Sequence, residues 1–387
     1  MRPVPIANPP NPWATTEVEY LEGAPEVKLE VFEDRTRQIL ANNDSPDVGF
    51  TYSVNPYRGC FHACAYCYAR PSHEYLSLGA GTDFDRKIMV KLRAAELLRA
   101  AFAKKSWRKE TVAFSGVTDC YQPLEASYRL TRGCLEVCVE HANPAAIITK
   151  SALIERDVDV LVELARVASV FVTISVPFWD PERARAIEPY VATPARRLRV
   201  IETLARAGLS VGVNVAPIIP GLNDQDIPKI LAAARDAGAT RAGCVLVRLP
   251  GSVKQVFEQR LRDALPLVAD RVLHRIRETR GGQLYDPRFG VRGRGEGKYA
   301  EAIERLFDAT ADRLGFERRG LGMDARDAEP PAAGPAETST DVEHVQHDRK
   351  PAVPKRKARA GSDAQLTLAI DLGGRHDGGA PAAKVGA

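Results

Sequence analysis

The chain has 387 residues, 44% of them hydrophobic, and sets 54 basic against 50 acidic side chains for a net charge of +4. That is enough apolar material for one large α/β domain with extensions. The charge balance is too even to be an electrostatic footprint by itself, so nucleic-acid binding is neither implied nor excluded. The proline-rich start, Met1-Arg-Pro-Val-Pro-Ile-Ala-Asn-Pro-Pro-Asn-Pro-Trp13, holds no apolar run of signal-peptide length, and no later stretch reaches membrane-spanning length. A cytoplasmic protein with no membrane contact is the expectation. Seven cysteines, an odd number in a long chain, argue against a disulfide framework.

Residues 1–47 read as an N-terminal extension whose mixed segment, 16–43, can pair or pack onto the main domain. From residue 48 to 266 the pattern is strand, loop, helix, repeated. Short apolar runs rich in β-branched residues at 50–54, 111–117, 146–149, 170–176, 211–219 and 243–249 predict six strands covered on both faces. Helical patterns fall at 86–102, 129–141, 157–167, 194–207, 226–237 and 253–265, with Thr193-Pro194 as a start signal and Gly208 and Gly238 as stops. This alternation predicts a parallel sheet with right-handed crossovers, either an open doubly wound sheet or a curved partial barrel. Residues 267–323 read as a C-terminal helical extension: 270–280, a Gly- and Arg-rich stretch 281–298, then an amphipathic helix at 299–314. From 324 to 387 the composition turns to Ala, Pro, Gly and charge, which predicts a disordered tail. The tail holds a basic run, 355–359, and a short apolar piece, 366–372, that could dock back.

Just past the first strand stands Asn55-Pro-Tyr-Arg-Gly-Cys60-Phe-His-Ala-Cys64-Ala-Tyr-Cys67-Tyr-Ala-Arg70. Cys60, Cys64 and Cys67 follow the spacing C-x3-C-x2-C, with Gly59 ahead to let the backbone turn. Thiolates are the usual ligands of iron–sulfur clusters, and three local cysteines leave one iron of a cubane open. A structural zinc site would need a fourth ligand from His62, His73 or a distant cysteine. An electron-transfer cluster would need a fourth cysteine, for which Cys120, Cys134, Cys138 and Cys244 are the candidates.

With Tyr66 as its aromatic, the triplet C-x3-C-x-aromatic-C resembles the signature of the radical S-adenosylmethionine (radical SAM) superfamily. The flanks Asn55-Pro-Tyr-Arg-Gly-Cys60 and Tyr68-Ala-Arg-Pro-Ser-His-Glu-Tyr75 are similar to the DNA repair photolyase-like branch, relatives of spore photoproduct lyase, over about residues 49–320. The resemblance implies a partial (β/α)6 barrel with the cluster on the loop after the first strand. It implies a 4Fe–4S cluster and S-adenosylmethionine as cofactors, and an electron donor such as flavodoxin or ferredoxin. The implied activity is reductive cleavage of S-adenosylmethionine to a 5′-deoxyadenosyl radical, then lyase-like hydrogen abstraction from an organic substrate, with a damaged or modified pyrimidine in DNA as the branch's substrate.

Ligands of α/β folds gather at the carboxyl ends of strands, which gives a search rule independent of any family. After the second strand, Ser115-Gly-Val-Thr-Asp-Cys-Tyr-Gln-Pro123 occupies the place of the superfamily's Gly-rich cofactor-binding segment, making Gly116, Thr118 and Asp119 candidates; Asp119 could equally be a turn residue. The resemblance suggests Ser175, at the end of the fourth strand, as a partner of the cofactor's ribose or carboxylate, and places the Tyr66 backbone near adenine. Asn214, inside an apolar strand, needs either a cofactor carboxylate or a neighbouring strand residue. Arg248 needs an anion, from a carboxylate such as Glu188 or from the substrate, and is counted among the cofactor-binding candidates. In spore photoproduct lyase a cysteine at the end of the second strand returns a hydrogen atom, and Gly116 stands there in this chain. Cys120 and Tyr121, just past that turn, are the catalytic candidates, with core packing the competing role for Cys120. Cys134 and Cys138, four apart on one helix face, and Cys244 read as packing residues. In the stretch 281–298, Arg288, Arg292, Arg294 and Lys298 with Tyr285 and Phe289 suit a polymer's phosphates and bases, or make an ordinary packed loop. Two rival readings complete the set: a radical enzyme acting on a peptide, tRNA or small molecule, and a non-catalytic iron–sulfur or zinc binding module.

Overall fold

The computed structural model describes residues 28–317. The tail at 324–387, with its basic run and apolar piece, and the first 27 residues lie outside them. Ten strands occur in chain order: β1 (Glu30–Glu33), β2 (Leu40–Asn42), β3 (Tyr52–Val54), β4 (Tyr57–Arg58), β5 (Lys87–Val90), β6 (Val112–Phe114), β7 (Ala145–Thr149), β8 (Val170–Ser175), β9 (Ser210–Ile218) and β10 (Arg241–Leu246).

Seven of them form one sheet in the order β10-β9-β8-β7-β6-β3-β2. From β3 to β10 every neighbouring pair is parallel and every step goes the same way, while β2 adds an antiparallel edge. A doubly wound sheet would reverse its strand order at a switch point. Here none occurs, so the crossovers keep the helices on one face and the sheet curls as a six-unit partial barrel.

The packing follows from strand alternation. Val172, Ile174, Val211, Val213 and Val215 join Val200, Ile201 and Leu204 of the helix Pro194–Arg206 in the main core. Each such side chain contributes about 1.5–3 kcal/mol on leaving water. That helix starts where Thr193 Oγ1 accepts from Arg196 N and Pro194 takes the first turn, and Gly208, at φ 81, ends it. Thr173, Ser175, Gly212 and Asn214 therefore face the concave side. The far end of that concavity is stoppered by Phe171, under the Arg241 guanidinium at 4.5 Å.

One expected helix, 86–102, is three elements: a short helix Thr82–Arg86, the strand β5, and the helix Ala94–Phe102. Lys87-Ile-Met-Val90 buries Ile88 and Val90 by alternation and pairs with β1 and β4 in a second, three-stranded sheet. The period of two outcompetes helix propensity because a partner strand from the N-terminal extension is available. Extension residues thus pair into both sheets. The helix Pro181–Ile187 has no counterpart in the sequence reading, and the helix expected at 270–280 runs Pro266–Glu278. Among the described residues no helix is long and apolar enough to cross a membrane.

Candidate active site

Residues 55–70 leave β3 at the carboxyl end of the sheet and form a loop that buries Cys60 and Cys64 and half-buries Cys67, all three as free thiols. Gly59 opens it at φ 79, and a β-carbon there would meet His73 Cε1 at 2.8 Å and Ile88 Cδ1 at 2.9 Å, so only glycine fits. Burial pushes the Cys64 thiol well up, with Glu188 adding to it; burial, then Cys60, pushes Cys67 up to about 11. Thiols so placed and so close to one another call for a positive metal centre. Among the described residues no three His, Cys, Asp or Glu side chains converge on a single ion. A cubane asks for a different arrangement, one thiolate at each of three separate irons, and three neighbouring free thiols on one loop fit that demand.

The loop is held from three sides. Arg70, fully buried, donates from Nε and Nη2 to Cys64 O at 3.0 and 2.9 Å and from Nη1 to Ala80 O and Gly81 O at 2.9 and 3.0 Å; it also pairs with Asp85 at 2.9 Å. Tyr66 Oη donates to Glu188, whose other oxygen takes the Arg197 guanidinium; Arg197 also donates to Ser175 O at 3.1 Å. The third side is the turn after β6. Thr118 Oγ1 and Gln122 Nε2 donate to Gly59 O at 2.7 and 3.1 Å, Phe61 N donates to Gln122 Oε1, and Tyr68 Oη donates to Gly116 O at 2.7 Å.

In that turn Ser115 adopts φ 86, a strained conformation for a residue with a side chain, and its Oγ accepts from Cys120 N at 3.0 Å. Asp119 accepts from Thr149 Oγ1 at 2.6 Å, Tyr121 N at 2.9 Å and Lys150 N at 2.8 Å, with His62 Nδ1 at 3.5 Å. Burial opposes its charge, but His62 and these donors outweigh it and hold the carboxyl at about 2. Thr118 and Asp119 therefore knit loops together, while Gly116 lies against Ser53 and Asn55, whose atoms would crowd a β-carbon at 3.1–3.2 Å.

Ser175 and Asn214 are register partners on the concave face, 2% and 8% exposed, and Asn214 Oδ1 is buried without a hydrogen-bond partner. Among the described residues no neighbouring strand residue satisfies it. Lys150, at the end of β7, was missed by the sequence reading although it obeys the strand-end rule; its Nζ stands 5.7 Å from the Tyr66 ring centroid. Arg70, Arg197 and Asn55, which accepts from Val117 N at 2.8 Å, were missed too. Glu188 is not the partner of Arg248, being taken by Arg197 and Tyr66. Cys120 and Tyr121 are both fully buried in the main hydrophobic cluster with Val54, Phe114 and Leu135, and Cys134 and Cys138 lie in the same cluster. His73 Nε2 is 2.9 Å from Lys87 O.

Residues 54–234, from the end of β3 into the helix after β9, match the Radical SAM superfamily. Over those residues the chain carries a radical SAM domain. Radical SAM proteins use a 4Fe–4S cluster and S-adenosylmethionine, and these are the cofactors of this domain. Uncharacterised proteins of Mycobacterium bovis and Mycobacterium tuberculosis are 40% identical over 224 residues, 57% of this chain and 66% of theirs. The match thus spans just under two thirds of those relatives. An uncharacterised protein of Methanocaldococcus jannaschii is 28% identical over 197 residues, 51% of this chain and 71% of its own length. Among solved structures, spore photoproduct lyase complexed with dinucleoside spore photoproduct aligns with a TM-score of 0.51 at 16% identity, over 74% of this chain and 80% of that one. A lyase variant with bound AdoMet and dinucleoside spore photoproduct gives 0.53 at 15% identity, over 78% and 86%. At such identity the likeness to the lyase is one of fold.

Proposed function

We propose that this radical SAM protein reductively cleaves S-adenosylmethionine and directs the resulting radical to a hydrogen atom of a damaged or modified pyrimidine in DNA. The carrying observation is the trio of Cys60 and Cys64, buried, and Cys67, half-buried, on the loop after β3, beside a concave face that holds an unsatisfied Asn214 amide, Ser175 and Lys150. In this reading the trio ligates three irons and leaves the fourth to the cofactor's methionine end. When bound, the cluster supplies the electron that breaks the cofactor's C5′–S bond and yields a 5′-deoxyadenosyl radical.

The chain's own residues do the rest. Lys150 offers its ammonium to the methionine carboxylate, and the turn at Gly116 offers backbone to the amino group. Ser175 and Asn214 meet the polar atoms of the nucleoside half, and Asn214 Oδ1 gains the donor it lacks. The Tyr66–Glu188–Arg197 chain holds the loop against the end of β8, so the two halves of the cofactor site keep their spacing. The burial of Cys120 and Tyr121 in the main cluster supports a packing role for both over hydrogen return. The fold shared with a lyase solved with dinucleoside spore photoproduct supports the DNA part of the reading.

Anaerobic reconstitution should give about four irons per chain, lost in Cys60→Ala. Reduction in the presence of S-adenosylmethionine should release 5′-deoxyadenosine. No cofactor cleavage by the reduced, iron-loaded protein would overturn the enzyme reading. Cleavage that no pyrimidine lesion stimulates, with no salt-dependent DNA binding, would remove the DNA substrate alone.

A further inference from the structure

Two arginines, Arg248 and Arg280, have no ion-pair partner among the described residues. Arg248, just past the end of β10, makes no hydrogen bond and no ion pair among the described residues, and its Nε is shut off from solvent. Its guanidinium lies 5.5 Å from the ring centroid of Tyr68, the residue that follows Cys67. Arg280, 3% exposed, donates to Val291 O at 2.9 Å, Arg292 O at 2.9 Å and Val247 O at 3.0 Å, leaving its own Nε buried without a partner. Carbonyls satisfy donors but bring no countercharge.

The carboxylates that could neutralise the pair are committed elsewhere. Glu188 holds Arg197, Asp286 and Glu296 hold Arg288 at 2.6 and 2.9 Å, and Asp47 holds Arg292. Burial pulls Arg280 down to about 10; the Asp286 charge works against this from outside hydrogen-bond reach, and the nearby Arg248 charge adds to the fall. An uncompensated buried charge is among the costliest features a fold can keep, and two like charges side by side compound it.

We propose that Arg248, backed by the buried Arg280 charge, forms an oxyanion subsite that takes a phosphate of the substrate. Guanidinium forks match phosphate oxygens in pairs, which a lysine cannot reproduce. Tyr68, 49% exposed beside Arg248, adds an aromatic face next to the charge, the combination that suits a base carried on a phosphate backbone. Lys150, beside Tyr66 across the cluster loop, leaves the cofactor's carboxylate served without Arg248. The assignment to a substrate phosphate rests on the nucleotide reading above; the oxyanion subsite itself does not.

Calorimetric titration of the iron-loaded protein separates the two. Inorganic phosphate should bind the wild type, at least tenfold more weakly to Arg248→Met, with Arg248→Lys intermediate. Affinity for S-adenosylmethionine should stay within twofold in both variants, which also shows that they fold. Wild-type protein that binds no phosphate, phosphate affinity indifferent to Arg248, or a loss confined to S-adenosylmethionine would each overturn the subsite. Thymidylyl-thymidine and its uncharged methylphosphonate analogue form the second arm. A tenfold preference for the charged dinucleotide that vanishes in Arg248→Met supports a substrate phosphate. If phosphate binds as described but neither dinucleotide does, the oxyanion subsite stands and its assignment to a nucleic-acid phosphate is refuted.

Discussion

At the scale of single residues, Arg70 explains how a short loop with a strained alanine, Ala63 at φ 55, keeps one shape. Its four hydrogen bonds reach the carbonyls of Cys64, Ala80 and Gly81 and its charge pairs with the Asp85 carboxylate, so the fork replaces a hydrogen-bond ladder the loop cannot form with itself. Arg70→Met should destabilise the protein by about 3–5 kcal/mol, because it strands a buried carboxylate, and Arg70→Lys should recover only part, having lost the fork. Denaturant unfolding measures the first effect, and iron bound per chain after reconstitution measures the consequence for the loop. Equal iron content in all three proteins would show that the loop holds itself. The sequence put Arg70 in a recognisable motif but carried no sign of its role, since a buried arginine and an exposed one look alike until the carbonyls around it are placed.

At the scale of elements, the split of the expected helix 86–102 has a functional side. Lys91, at the end of β5, is buried and donates to Asn55 O at 2.7 Å, tying the small sheet to the start of the cluster loop. Burial, with Arg58 nearby, pulls its ammonium down to about 8. The unfolded chain holds that proton up to about pH 10.4, so between pH 8 and 10 the unfolded state binds more protons than the folded one. Stability should therefore rise with pH across that window and be flat, as far as Lys91 is concerned, below it. Urea midpoints of the wild type and Lys91→Met between pH 7 and 10 check this: the rise should shrink in the variant. A parallel rise in both would assign it to other groups. Periodicity alone favoured a helix here, because Glu30–Glu33, the strand that makes the alternative worthwhile, is more than fifty residues away.

At the scale of the whole molecule, the Gly- and Arg-rich stretch is a strap. Leu246 N donates to Gly293 O at 2.8 Å beside β10, while Gly290 N donates to Asp47 at 2.7 Å and Arg292 pairs with Asp47 between β2 and β3. It thus joins the two edges of the sheet, and its arginines are spent on Asp286, Glu296, Asp47 and, at 3.6 Å, Glu304. That is the packed-loop alternative, and it moves the case for a phosphate contact from Arg288, Arg292 and Arg294 to Arg248. Arg292→Ala should release the strap and speed proteolytic cleavage within residues 286–297, with the sheet intact. Cleavage rates equal to wild type would mean that the Arg280 anchor suffices alone.

Spacing and periodicity were enough to determine the thiol triplet, its position after the first barrel strand and the alternation of strands with helices, because cluster ligation and strand burial are local demands written within a few residues. Sheet curvature, the identity of the groups that face the cleft and the pairing of each charge were decided by the tertiary structure. Asn214 was suspect in either setting; only the placed strands left its oxygen without a donor. Arg248 and Arg292 read alike in the sequence, yet Arg292 meets Asp47 from the far edge of the sheet and Arg248 meets no acid among the described residues. The physical reason is that countercharge acts over a few ångströms in space, and those ångströms separate residues two hundred positions apart in the chain.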